Sequence, residues 1–156
     1  MAIDKVKAFF SKMNMADRVV EFEASSATVE LAAALIGCEP KRIAKTLSFM
    51  TDRGPILVVA AGDARIDNAK YKAQFGVKAK MLASEDAEPL IGHAVGGVCP
   101  FAINEGVPVY LDESLKRFDT VFPACGSSNS VIELTVPELE KYSSYTSWVD
   151  VCKSWE

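Results

Sequence analysis

Residues 43–61 decide the fold: Ile43-Ala44-Lys45-Thr46-Leu47-Ser48-Phe49-Met50-Thr51-Asp52-Arg53-Gly54-Pro55-Ile56-Leu57-Val58-Val59-Ala60-Ala61. From Ile43 to Phe49 the odd positions read Ile, Lys, Leu, Phe and the even ones Ala, Thr, Ser. In a strand, side chains two apart share a face. Thr51 to Pro55 carries hairpin chemistry, and Ile56 to Ala61 is an unbroken apolar run. Such a run predicts a strand covered on both faces, with the Lys45 strand paired to it at the centre of a sheet.

Lys45 then has two readings. In the first it points with Leu47 and Phe49 into buried surroundings, where an ammonium must drop its pKa or find an anion. In the second the strand begins only at Thr46, and Lys45 snorkels outward from a helix end.

Outward from this hairpin, short elements alternate irregularly. The spacing of Val6, Phe9, Phe10 and Met13 predicts a helix over Ile3 to Met13. Arg18 to Glu23 alternates as a strand, with Val20 and Phe22 on one face. A second helix has Ser26 or Thr28 as N-cap, Gly37 as stop, and Leu31, Ala34 and Leu35 as its apolar face. Pro40-Lys41-Arg42 opens a helical turn, and Asp67 caps a helix through about Phe75 that Gly76 ends.

Further strands are expected at Ala79–Leu82, Val107–Leu111, Thr120–Phe122 and Val131–Leu134, and the tail Trp148–Cys152 adds a strand or docks as a loop. Short helices are expected from Ser84, over Glu113–Arg117, and from Pro137 to near Tyr142. The pattern predicts one α+β domain over residues 1–156, a curved and largely antiparallel sheet or barrel with short helices around it.

Composition bounds the chemistry. The 156 residues are 49% hydrophobic and 24% charged, with net charge −4. No apolar run reaches the ~20 residues of a membrane span, and the amino-terminal residues lack a signal peptide's apolar core, so the expectation is a cytoplasmic protein without a membrane partner. The negative charge argues against coating DNA or RNA non-specifically. A local basic stretch still runs from Arg65 through Lys70, Lys72 and Lys78 to Lys80, against the single acid Asp67. Cys38, Cys99, Cys125 and Cys152 have no tight spacing and His93 is the only histidine, so neither a structural zinc site nor a two-histidine metal centre is expected.

A glycine-rich loop, Gly92-His93-Ala94-Val95-Gly96-Gly97-Val98-Cys99-Pro100-Phe101, is nearly uncharged. Its consecutive N–H groups suit an oxyanion, or the glycines simply serve a tight turn. It lacks the Gly-Lys-Ser/Thr ending of a phosphate-binding loop and the Gly-x-Gly-x-x-Gly of dinucleotide sites. Cys99 is either a nucleophile with His93 as base or a small buried thiol. The Gly126-Ser127-Ser128-Asn129 turn binds a ligand or caps itself, and no Gly-x-Ser-x-Gly elbow marks a serine nucleophile.

In order, Ile43-Ala44-Lys45-Thr46-Leu47, Gly62-Asp63-Ala64-Arg65-Ile66-Asp67, Gly96-Gly97-Val98-Cys99-Pro100-Phe101, Cys125-Gly126-Ser127-Ser128-Asn129 and Ile132-Glu133-Leu134 with Glu138-Leu139 resemble the YbaK/ProX family. These are free-standing relatives of the editing domain inserted in bacterial prolyl-tRNA synthetases, and the resemblance runs from about Val19 to Tyr142. It implies a deacylase, free of metal and other cofactors, that hydrolyses the ester of mischarged tRNA, typically proline tRNA carrying alanine or cysteine. A prolyl-tRNA synthetase is then a candidate partner.

The family's essential lysine falls on Lys45 and its glycine-x-x-x-proline loop on Gly96 and Pro100. In the family the 2′-hydroxyl of the terminal adenosine is thought to assist. The resemblance makes Thr46, Gly96, Gly97, Val98, Cys99, Pro100 and the turn Gly126–Asn129, with Ser127 and Ser128, the surroundings of the aminoacyl-adenosine end. Backbone N–H groups near Gly97 to Cys99 would hold the carbonyl oxygen, while Lys41, Arg42, Arg65, Lys70 and Lys72 would touch the acceptor stem.

Some alanine-specific relatives have asparagine after the lysine and a histidine in the late turn. This chain has Thr46 and Ser127-Ser128-Asn129 there, so selectivity does not transfer. Two other readings are a non-catalytic module that recognises an aminoacyl end or a nucleotide beside a synthetase, and a thiol hydrolase using Cys99.

Overall fold

The computed structural model describes residues 2–155. Its elements are α1 (Ala2–Ser11), β1 (Val19–Glu21), α2 (Val29–Ile36), β2 (Ile43–Thr51), β3 (Gly54–Ala61), β4 (Arg65–Ile66), α3 (Asn68–Phe75), α4 (Ser84–Ile91), β5 (Val109–Asp112), β6 (Thr120–Pro123), β7 (Ser130–Ile132), β8 (Leu134–Thr135), α5 (Val136–Ser143), β9 (Ser147–Val149) and β10 (Cys152–Lys153).

The β2–β3 hairpin is the centre, in register from Ala44 opposite Ala61 to Thr51 opposite Gly54. A curled six-stranded sheet grows from it in the order β8-β6-β2-β3-β5-β9. The β8/β6 and β2/β3 pairs are antiparallel, while β6/β2, β3/β5 and β5/β9 are parallel. Two short antiparallel pairs, β1/β7 and β4/β10, flank it.

The apolar run of β3 is covered on both faces, as its composition predicts. Leu57, Val59 and Ala61 enter one core with Val6, Phe10, Leu111 and Leu134. Ile56, Val58 and Ala60 enter a second core with Phe49, Tyr71 and Val151. At about 25 cal/mol per Å² of buried apolar area, this two-sided cover is the main force holding the hairpin in place.

Helix ends follow their cap chemistry. Thr28 accepts from the Leu31 N–H at 3.1 Å and Asp67 from the Lys70 N–H at 3.0 Å, while Gly37 and Gly76 close α2 and α3. Thr135 and Glu138 form a reciprocal capping box at the start of α5.

Three expectations need correction. On α2 the leucines face outward, with Leu31 46% and Leu35 38% exposed, and Ala32 and Ala33 are buried against Ile43 and Phe122. Small side chains let the helix approach the sheet closely, which Leu would prevent. On β1, Val20 is 47% exposed, whereas Val19 packs on the core. Residues 79–82 form no strand: Met81 makes one isolated bridge to Phe49. No helix among the described residues is long and apolar enough to cross a membrane.

Candidate active site

On its β3 side β2 is paired along nearly its whole length, but its other edge is interrupted. There β6 pairs only with Ile43 and Ala44. Farther along, the Leu82 N–H donates to the Ser48 carbonyl at 3.1 Å and the Met50 N–H to the Lys80 carbonyl at 2.8 Å. In the gap, Lys45, Thr46 and Leu47 border a cleft of about 410 Å³. Its other walls are the start of α2 (Thr28, Val29), the glycine loop (Val95, Gly96, Val98), the Met81–Leu82 segment, and Phe122, Ala124 and Val131.

The strand begins at Ile43, so Lys45 does not leave from a helix end. It shares a face with Leu47 and Phe49 and sits opposite Ala60. Half-buried, it finds carbonyls rather than a carboxylate: Nζ donates to the Ala64 oxygen and to the Gly62 oxygen at 3.4 Å. Burial pulls the ammonium below the ordinary lysine range, with the Asp63 charge opposing that shift. An ammonium has three donors, so these two carbonyls leave one unused.

Those carbonyls are fixed from behind. A Cβ at Gly62 would lie 2.0 Å from the Pro40 oxygen and 2.8 Å from Val29 Cγ1, so only glycine lets this turn close against the Pro40 turn. Next to it the Asp63 carboxylate is gripped by Arg117 at 2.6 and 3.0 Å, which holds its pKa below the usual range. Arg117 also donates to the Ser114 carbonyl at 2.9 Å and lies between the rings of Phe118 and Trp155.

Thr46 points to the other face of β2. Its Oγ1 is buried beside the cleft without a hydrogen-bond partner among the described residues. An orphaned buried hydroxyl costs about 1–3 kcal/mol.

The glycine loop and the late turn lie against each other. A Cβ at Gly97 would be 2.6 Å from the Gly126 carbonyl carbon and the Ser127 nitrogen. Gly96 and Val98 line the cleft, whereas Gly97, Cys99 and Pro100 are buried behind that wall. The Gly97 N–H is engaged by the Ala94 carbonyl at 3.1 Å and is not presented to an oxyanion.

The polar groups of the turn are satisfied internally. Ser127 Oγ donates to Asn129 Oδ1 at 2.8 Å and lies 2.6 Å from Ser130 Oγ, and Asn129 Nδ2 donates to the Phe22 carbonyl at 2.8 Å. The Ser128 carbonyl accepts from the Ser26 N–H at 2.6 Å. The turn therefore braces the segment leading into α2 and does not line the cleft.

His93 and Cys99 do meet, with Sγ 3.5 Å from Nε2, yet both are fully buried. Nε2 is 2.7 Å from the Phe101 carbonyl, so it carries the proton, and Nδ1 is unpartnered among the described residues. Burial lowers the His93 pKa and pushes the Cys99 thiol up to about 12. That is a structural thiol behind the wall, without the low pKa of a nucleophile.

The basic residues separate into two groups. Arg42 is bound to Thr120 and, at 3.3 Å, to Glu133, with Phe122 5.1 Å beneath it. Lys70 is held by Asp150 at 3.1 Å and the Cys152 carbonyl at 3.0 Å. Lys41 lies 3.5 Å from Glu39, and Arg65 and Lys72 are exposed. Sequence reasoning missed Val95, Met81, Phe122 and Val131 as cleft walls, and it missed the carbonyl pair on Lys45. A charged residue in an apolar alternation needs acceptors, and the turn ending the partner strand was the place to look for them.

A family model, the aminoacyl-tRNA editing domain, matches residues 23–142. YwhH, an uncharacterised protein of Bacillus subtilis (strain 168), is 54% identical over 157 residues, covering 100% of both chains. The proline–tRNA ligase of Streptococcus equi subsp. zooepidemicus (strain H70) is 28% identical over 127 residues, which span 80% of this chain but 20% of the ligase. Among solved structures, a proposed trans-editing enzyme for prolyl tRNA synthetase superposes with TM-score 0.87 at 29% identity, over 97% of each chain. A second, a hypothetical protein, superposes with TM-score 0.84 at 27% identity, over 96% of this chain and 99% of its own.

Proposed function

The chain belongs to the aminoacyl-tRNA editing domain family, and we propose that it is a trans-editing deacylase that hydrolyses the ester of a mischarged tRNA. The observation that carries this reading is the pairing of a half-buried lysine with an orphaned hydroxyl at an interrupted strand edge. Both residues border the cleft: Lys45 would balance charge on the carbonyl oxygen of a small acyl ester, and Thr46 would orient the ester once its hydroxyl turns toward the ligand.

In the hydrolysis, water adds to the ester carbonyl and a tetrahedral oxyanion forms. The bond to the 3′-oxygen then breaks, and that oxygen leaves with a proton. Lys45, already stripped of much of its water, stabilises the oxyanion without having to reorganise. Its orientation comes from the Gly62 and Ala64 carbonyls.

Lys45 is the one ionisable side chain lining the cleft among the described residues. The family resemblance implies that the 2′-hydroxyl beside the ester assists, relaying the proton of the attacking water to the departing 3′-oxygen. An ester is activated enough for positioning and charge stabilisation to suffice.

The apolar cleft suits a small side chain. One methylene is worth only ~1–3 kcal/mol of discrimination, so neighbouring substrates such as alanyl and cysteinyl esters on proline tRNA differ by modest factors. Exposed Arg65 and Lys72, with the half-buried Lys41, meet the acceptor stem, while Arg42 and Lys70 hold the fold. A synthetase that binds the same tRNA would supply further affinity to a chain of net charge −4.

The lack of a protein base also favours a second reading, a module that binds the charged end without hydrolysing it. The deciding assay is amino acid release from proline tRNA charged with alanine, cysteine, serine or proline, by wild type and Lys45→Ala. Release of one non-cognate amino acid, slowed at least ~100-fold in the variant, is expected. A variant at the wild-type rate overturns the role of Lys45, and binding without release establishes the second reading.

A further inference from the structure

Two large apolar side chains line the cleft and stand largely uncovered among the described residues: Met81 is 57% exposed and Val95 61%. The remaining exposed large hydrophobics among the described residues, Val20, Leu31 and Leu35, lie elsewhere on β1 and α2. Met81 and Val95 come from different segments, and each is rigidly backed.

Hydrogen bonds on either side, from the Leu82 N–H to Ser48 and from the Met50 N–H to Lys80, strap the Met81 segment to the free edge of β2. The loop bearing Val95 is pinned by the buried His93–Phe101 bond and by Gly97 lying on the Gly126 turn. Exposed apolar side chains on fixed backbone at a cleft mouth mark a ligand-contact surface. Methionine in particular conforms to flat ring systems.

The occupant follows from the chemistry of the cleft. This step rests on the deacylase reading, in which the ester lies at Lys45 and Thr46. The rest of the tRNA is far larger than 410 Å³ and stays outside. The terminal nucleotide must then run from the floor to the mouth, with its ribose between the ester and its base.

We infer that Met81 and Val95 form an apolar stacking site for the terminal adenine of the tRNA, so that the base is gripped at the mouth while the ester is delivered to the floor. Single-stranded bases are commonly held through their faces, most often on aromatic rings, and a thioether with valine methyls offers an apolar face that likewise needs no base-edge hydrogen bonds.

The test uses the full chain and an RNA hairpin with a proline-tRNA acceptor stem, ending in CCA. The hairpin carries alanine through a non-hydrolysable 3′-amide. A matched hairpin lacks only the terminal adenine base. Wild type is expected to bind the adenine-bearing probe about tenfold more tightly. The Met81→Ser, Val95→Ser double variant, with both changes at exposed positions, is expected to keep its melting temperature and bind the two probes equally.

On hydrolysable alanyl-tRNA the same variant should show KM raised about tenfold with kcat unchanged, a split that a merely structural defect would not give. Three results overturn the inference: equal binding of both probes by wild type, an undiminished adenine preference in the variant, or no binding of either probe. Adenine preference without any hydrolysis would keep the stacking site and remove the deacylase reading, so the two fail separately.

Discussion

Two grooves of nearly equal size sit back to back in this protein, sharing Phe122 and Val131 as a party wall. One is the cleft of about 410 Å³ beside Lys45; the other, about 430 Å³, lies between β1 and α2 and is lined by Val20, Phe22, Leu35 and Ile36. Volume and apolar character do not tell them apart. Polar satisfaction does. Around the second groove the charges are either matched or, at Asp17, exposed to solvent: Arg18 pairs with Glu138 at 2.9 Å, and Glu133 accepts from Arg42 at 3.3 Å and from Thr120 at 2.7 Å. In the first, a lysine is half-desolvated with a donor to spare and a threonine hydroxyl has no partner among the described residues. A folded chain tolerates such costs where a ligand repays them.

The contrast can be broken hardest at Gly62. In Gly62→Ala the new Cβ, 2.0 Å from the Pro40 oxygen, forces the turn away and displaces the carbonyls that hold Lys45. Overpacking of this kind costs about 1–3 kcal/mol, so thermal unfolding should show Tm lowered by several degrees. Hydrolysis should fall further than the loss of folded protein explains. An unchanged rate would mean the carbonyl pair does not set the first groove apart.

Thr46→Val sharpens the comparison, because it replaces the orphaned hydroxyl with a methyl of similar shape. Stability should hold or rise by up to ~1 kcal/mol in denaturant titrations, while kcat/KM drops about tenfold. A variant that loses stability and keeps its rate would show that the hydroxyl finds its partner in the fold.

Next comes Glu138→Gln on the matched side. Arg18 beside it, together with the cap at Thr135, holds the Glu138 carboxyl at about 2, against an ordinary 4.5. Its folded pKa is depressed, so its contribution is present above pH ~4.5 and is lost as pH falls from there toward 2. The pair is partly exposed, which discounts it, and with the capping box it is worth about 1 kcal/mol at neutral pH. The variant should be that much less stable at pH 7, approach wild type as pH falls through about 2, and be unaltered in hydrolysis.

The smallest effect is expected for Val20→Ser and Leu35→Ser in the second groove: stability within about 0.5 kcal/mol and a rate within twofold of wild type. A large fall in rate would show that this groove also serves the reaction.

The contrast also explains what was legible in the sequence. Lys45 stood out because an ionisable residue interrupted an apolar alternation, and that is a local signal. The caps at Thr28 and Asp67 and the hairpin at Gly54 were legible for the same reason. The buried face of α2 was not: Val29, Leu31, Ala32, Ala33, Ala34, Leu35 and Ile36 are apolar nearly all round, so periodicity could not choose, and close approach to the sheet selected the alanines. The His93–Cys99 contact, the Gly97–Gly126 contact and the placing of Met81 and Val95 on one cleft depend on where loops cross. Spacing does not encode that. The roles given to the glycine-loop N–H groups and the Gly126–Asn129 turn came from the resemblance; in the structure Gly96 and Val98 line the cleft, the Gly97 N–H is taken by Ala94, and the turn braces the segment before α2.

The interrupted edge of β2 has a consequence for how this protein comes into being. The strand pairs with β3 almost at once during synthesis, but the walls of its open side run from Ala27 to Val131. The parallel contact with β6 joins residues about eighty positions apart. Closing so long a loop is slow compared with forming a hairpin. A nascent chain on the ribosome would therefore own its lysine long before it owned a pocket, and competence would arrive in a single late step.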